Sequence, residues 1–106
     1  MILSTLEQLP GNRITEHLGL VHGSTVKAKH VGRDLMASLK NIVGGELVGY
    51  TELLNEAREE SIKRMIAEAE SIGANAVINI RFSTSSITSG AAELLAYGSA
   101  VKVENG

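Results

Sequence analysis

The chain has no cysteine, which removes disulfides, thiolate metal sites and a cysteine nucleophile together. Aromatic residues are almost as scarce. Tyr50, Phe82 and Tyr97 are the full set among 106 residues, too few for a base-stacking platform. Charge of neither sign dominates: 10 Lys and Arg stand against 12 Asp and Glu, a formal net charge of −2. A nucleic-acid or membrane-surface protein would carry a basic excess, so neither partner is expected. No apolar run approaches the ~20 residues that cross a bilayer. Met1–Glu7 has no basic region ahead of its short apolar run and does not read as a signal peptide. A cytoplasmic location is the expectation.

What is present is a folding composition. Hydrophobic residues make up 43% of the chain, well above a disordered segment, and the length suits one domain over residues 1–106. The single proline opens Leu9-Pro10-Gly11-Asn12, a turn signal. After it, Ile14, Glu16, Leu18, Leu20 and His22 alternate with Thr15, His17, Gly19, Val21 and Gly23, the period of a strand. Two glycines on one face predict close approach of another segment there. From His30 to Val43, Val31, Leu35, Leu39 and Ile42 mark one face of a short helix, stopped by Gly44-Gly45.

Tyr50 to Ile72 reads as a long helix ended by Gly73, about 35 Å in length. Its inner stripe is expected at Leu54, Ala57, Ile62, Met65, Ala69 and Ile72. Glu59–Lys63 and Glu60–Arg64 sit at i,i+4 on its surface. Ala76, Ile78, Ile80 and Phe82 alternate with Val77, Asn79, Arg81 and Ser83 as a second strand with one apolar face. Ser83 to Gly90 is small and polar and reads as a flexible connection. A final strand carries Leu95, Tyr97, Ser99, Val101 and Val103 on one face, and Leu94, Ala96, Gly98 and Ala100 on the other. A strand apolar on both faces is covered on both. One helix covers one face, so a sister chain is expected over Ala96, Gly98 and Ala100. The fold class is α+β: a small antiparallel sheet with a short strand near Ile2-Leu3-Ser4, one long helix and one short helix.

No Gly-x-Ser-x-Gly elbow, Walker loop or Gly-x-Gly-x-x-Gly occurs. The nitrogen ligands for a metal are His17, His22 and His30. His17 and His22 differ by an odd number and point to opposite faces of a regular strand, unless a bulge intervenes. His30 and Asp34 are i,i+4 on the short helix, a two-ligand set for a divalent metal ion. Arg58 falls between Leu54, Ile62 and Met65 on a helical projection, within the apolar stripe. A guanidinium there needs a carboxylate or carbonyl partner, with Asp34 and Glu16 as candidates. Asn79 and Arg81 share the polar face of the second strand and suit a ligand or a neighbouring subunit.

Pro10-Gly11, Gly19-Leu20-Val21-His22-Gly23, Asp34, Gly44-Gly45, Tyr50, Glu56-Ala57-Arg58-Glu59, Gly73-Ala74-Asn75-Ala76-Val77 and Gly98-Ser99-Ala100-Val101 stand in this order. Together they resemble the YbjQ-like family of small prokaryotic proteins, labelled a heavy-metal-binding domain. The resemblance covers almost the whole chain. It implies a dodecin-like β-α-α-β-β unit closing into a ring-shaped homopentamer, with stacked pairs of rings as a further form. Glu46 stands where the family commonly has arginine after the glycine pair, and Ser99 where threonine is usual. Three functions follow as expectations: an oligomeric binding or scaffold protein with sites between subunits, a metal-handling protein, or a small-molecule enzyme built around Arg58, Asp34 and Tyr50 at a subunit boundary.

Overall fold

In the turn at Leu9-Pro10-Gly11-Asn12, the Asn12 N–H donates to the Leu9 carbonyl at 3.0 Å and Gly11 has φ 77°. Proline at the second position and a left-handed glycine at the third make this a type II turn. It launches the longest strand of the chain. In this computed structural model, residues 1–28, 48–88 and 91–106 are described. Their elements are β1 (Ile2–Leu3), β2 (Asn12–Ala28), α1 (Val48–Ser71), β3 (Ala76–Thr88) and β4 (Ala91–Asn105). The short helix expected over His30–Val43, with His30 and Asp34, lies outside the described residues.

The four strands form one sheet in the order β1-β3-β4-β2. Its β2–β4 and β3–β4 pairs are antiparallel, but β1 lies parallel to β3, so the sheet is mixed rather than antiparallel. Ser83 to Thr88, expected as a flexible connection, continues β3: Ser83 pairs with Leu95, Thr84 with Leu94 and Ser85 with Glu93. Hydroxylated side chains suit an exposed ribbon as well as they suit a loop, and pairing with β4 decides the matter.

The helix ends as Gly73 predicts. Gly73 has φ 87°, its N–H donates to Glu70 O at 3.1 Å, and Ala74 N–H donates to Ala69 O at 3.0 Å. This is the Schellman pattern, which a side chain at Gly73 would strain. The residues of α1 that vanish from solvent are Ala57, Ser61, Met65 and Ala69, a row four apart. Two expectations need correction. Ile72 is exposed and Ser61 takes a place in the buried row. Arg58 is exposed rather than buried among Leu54, Ile62 and Met65. A helix seated on a narrow ribbon buries one row rather than a broad stripe, and Arg58 lies about 100° around the axis from Ala57.

Gly23 explains how the helix sits so close. A Cβ added there would meet Ser61 O, Met65 N at 2.5 Å and Arg64 Cβ at 2.9 Å. The close approach expected from the glycines of β2 is therefore real at Gly23. Gly19 serves differently: nothing stands near its missing Cβ, but its φ of 120° accompanies a break in register between His17 and Gly19.

The sheet carries a hydrophobic cluster on each face. Between α1 and the sheet, Met65 and Ala69 of the helix pack with Val21, Ala74, Val77, Ile80, Ala96 and Ala100. On the opposite face, Leu9 folds over Ala76, Ile78, Val101 and Val103. This overturns the expected sister-chain cover. Ala96 and Ala100 are both 0% exposed within a single chain, because small side chains are what a helix packed this closely requires.

Candidate functional site

The N-terminal residues lie as a strap along the outer edge of β3. Ile2 N–H donates to Asn75 O at 3.1 Å, Ser4 N–H to Val77 O at 3.0 Å and Ile80 N–H to Ser4 O at 3.1 Å. At Asn79 the strand breaks step. Asn79 has φ 54°, the register shifts between Ile78 and Arg81, and Asn79 N–H donates to Leu6 O at 3.0 Å. Asparagine is among the few non-glycine residues that enter the left-handed region readily. Gly98 faces the bulge, and its absent Cβ would lie 2.8 Å from both Ile78 O and Val77 Cγ1. The bulge also shifts the apolar alternation, so that Val77 and Ile80 both reach the cluster under α1 while Ala76 and Ile78 face the other way.

This bulge shapes a groove. Leu3, Ser4, Thr5 and Leu6 form one wall, Ile62 and Met65 of α1 another, and Ile80 and Phe82 of β3 the floor, enclosing about 490 Å³. That volume is within the range of small-ligand sites, and the lining is mostly apolar. Arg81 holds the strap wall in place: its Nη1 donates to Thr5 O and Ile80 O, each at 2.9 Å. Asn79 and Arg81, expected as ligand or interface residues, are thus brought together at the groove's rim, where both bind the strap backbone.

The other expected residues do not converge among the described residues. Arg58 stands on the solvent side of α1, where its Nη1 reaches Asn55 Oδ1 at 3.4 Å. Tyr50 falls in the first turn of α1, but its side chain, like His30 and Asp34, is outside the described residues. Glu16, once a candidate partner for Arg58, lies 3.8 Å from Lys102 Nζ.

The histidines of β2 meet the condition a bulge imposes. His17 pairs with Val101 and His22 with Tyr97, so the irregularity places both on the same face. Their partners are four residues apart on β4, about 13 Å along a strand, too far for one ion. His22 Nδ1 stands 3.6 Å from Glu68 Oε2, and its backbone N–H donates to the same oxygen at 3.0 Å. Among the described residues no three His, Cys, Asp or Glu side chains gather as metal ligands. The donor set there, without thiolate, does not suit a soft metal.

Sequence reasoning missed a buried polar link. Ser61 Oγ donates to Leu94 O at 2.9 Å, which leaves Thr25 to donate its own hydroxyl proton to Ser61 Oγ at 2.7 Å. A serine has one proton to give, so the direction is settled. It also missed Asn75, whose side chain pairs with the Val103 backbone in both directions, at 2.8 and 3.0 Å. The available signal was a serine in line with Ala57, Met65 and Ala69.

Comparison with known proteins bears on all of this. The YbjQ-type family model, described as "putative heavy-metal-binding", matches residues 1–104. The chain belongs to the YbjQ-like family. Relatives named UPF0145 proteins include one from Hahella chejuensis, 62% identical over 104 residues and covering 98% of this chain and all of the relative. Another, from Thermotoga maritima, is 57% identical and covers 98% of each. A third, from the archaeon Methanosarcina acetivorans, is 52% identical and covers 99% of each. Among solved structures, a protein of unknown function from Pediococcus pentosaceus, a member of the DUF74 family, superposes with a TM-score of 0.59. It is 13% identical and covers 98% of both chains. That likeness concerns the YbjQ-like fold alone. None of the described helices is long and apolar enough to cross a membrane.

Proposed function

We propose that this YbjQ-like chain works as a homo-oligomeric binding protein, a pentameric ring whose ligand sites lie at or beside contacts between subunits. The supporting observation is shape. The Cα radius of gyration is 17.3 Å and the extents are 55 × 25 × 16 Å, whereas a compact domain of this length has a radius of roughly 13 Å. A slab this thin leaves apolar side chains outside: Leu20 is 70% exposed, Val26 54% and Phe82 44%. Association with further copies would cover such groups.

Light scattering on purified protein tests this. The expected mass is five times 11.2 kDa, about 56 kDa. A monomer at micromolar concentration overturns the reading.

The family description supports a second reading, in which each subunit brings a metal ligand to the ring. Zinc titration of demetallated protein tests it. Binding heat that disappears in His30→Ala favours this reading, and no heat in the wild type removes it.

A further inference from the structure

The groove between the strap and α1 has an apolar interior and a polar lip. Met65 and Ile80 are buried, whereas Leu3, Leu6 and Phe82 keep apolar surface exposed to water along it. No charged side chain lines it. Its strap wall, from Leu3 to Leu6, spans three residue steps, at most about 10 Å. Water held against such a surface is released when an apolar group takes its place.

The lip is built from donors. Ser4 Oγ accepts the Leu6 N–H at 3.0 Å, so its own hydroxyl proton is left to donate. Thr5 brings a second hydroxyl to the lining. Next to them Arg81 commits Nη1 to two backbone carbonyls, Thr5 O and Ile80 O. The rest of its exposed guanidinium, Nη2 and Nε, makes no hydrogen bond among the described residues. Those remaining N–H groups form a planar fork whose geometry matches a carboxylate.

We infer that the groove binds a straight-chain carboxylate of medium length, with its tail along Ile62, Met65, Ile80 and Phe82 and its carboxylate on Arg81 and the Ser4 hydroxyl. This site rests on the binding part of the reading above, narrows it to a ligand class and needs no second subunit. Three features select the class. The lining is aliphatic except for Phe82, so it offers apolar contact without the stacking faces and polar groups that a planar heterocycle requires. The short strap wall sets a medium tail rather than a long one. The charged group at the rim is a cation, which favours the acid over an alcohol or amine with the same tail.

Octanoate, followed by methyl NMR at neutral pH, tests the site. The Leu6, Ile62 and Met65 methyl signals are expected to shift saturably with octanoate and not with acetate. The uncharged 1-octanol, with the same tail, is expected to bind more weakly by about tenfold or more, the usual worth of a charge-assisted hydrogen bond. Arg81→Gln should bring octanoate down to the octanol level and leave octanol unchanged, whereas Arg81→Lys keeps a preference for the acid. Phe82→Glu, at an exposed position, should abolish octanoate binding with unchanged far-UV circular dichroism. No saturable shift in the wild type, equal affinity for octanoate and 1-octanol, or binding that survives Phe82→Glu overturns the site. Equal weakening of both ligands by Arg81→Gln makes the arginine a clamp on the strap alone and overturns the carboxylate contact. A wild-type oligomer that ignores octanoate loses this site and keeps the oligomeric reading, and a monomer that binds octanoate does the reverse.

Discussion

Ser61 shows how a single polar side chain can hold two layers together. It is fully buried, donates to Leu94 O and accepts from Thr25. Ser61→Ala removes both bonds and strands the Thr25 hydroxyl, while the Leu94 carbonyl keeps its place in the ladder opposite Thr25. Chemical denaturation should register a loss of about 1–3 kcal/mol, the cost of leaving buried polar groups unpaired. The double variant Ser61→Ala with Thr25→Val should recover part of it, because the stranded hydroxyl is gone. Arg58 offers the contrast. It is exposed and makes one long hydrogen bond to Asn55, so Arg58→Ala should change stability by no more than about 0.5 kcal/mol. A larger loss would place the guanidinium in a contact made between subunits.

At the level of elements, the spacing between α1 and β2 is set at Gly23. Gly23→Ala would drive a methyl group into the helix backbone at Ser61 and Met65. Backbone cannot swing aside as a side chain can, so the loss should reach about 3 kcal/mol or more, at or above the usual cost of overpacking. A melting temperature within a degree of the wild type would contradict the packing described. Much of this level could be read from residue order. The turn at Pro10-Gly11, the strands around Val21, Ile78 and Val101, the span of α1 and its stop at Gly73 all follow from local periodicity and glycine placement. Face assignments fared worse, because one extra residue reverses every side chain beyond it. The bulges near Leu18 and at Asn79 did so, and no local pattern announces them. The groove was hidden for another reason. Its walls come from Leu3–Leu6, Ile62–Met65 and Ile80–Phe82, three segments that only the folded topology brings together.

For the whole molecule, the thinness of the slab has a thermodynamic corollary. If assembly covers the exposed apolar groups, folding and association are linked, and the melting temperature should rise with protein concentration. A hundredfold dilution should lower it by several degrees, as RT ln of that ratio is about 2.7 kcal/mol to set against the unfolding entropy of a chain of this size. A melting temperature independent of concentration would indicate that each chain supports itself.

β4 has one more consequence for how this chain reaches its native state. Neighbouring residues on it, Ala100 and Val101, belong to different clusters. A slip of one residue would thrust branched valines into the places beneath the helix that Ala96 and Ala100 fill, and leave small side chains under Leu9. Both sides of the sheet would be spoiled at once. The strand therefore proofreads its own alignment, and mispaired intermediates should be short-lived even though its partners from Ser83 to Ser86 are as plain as serine and threonine.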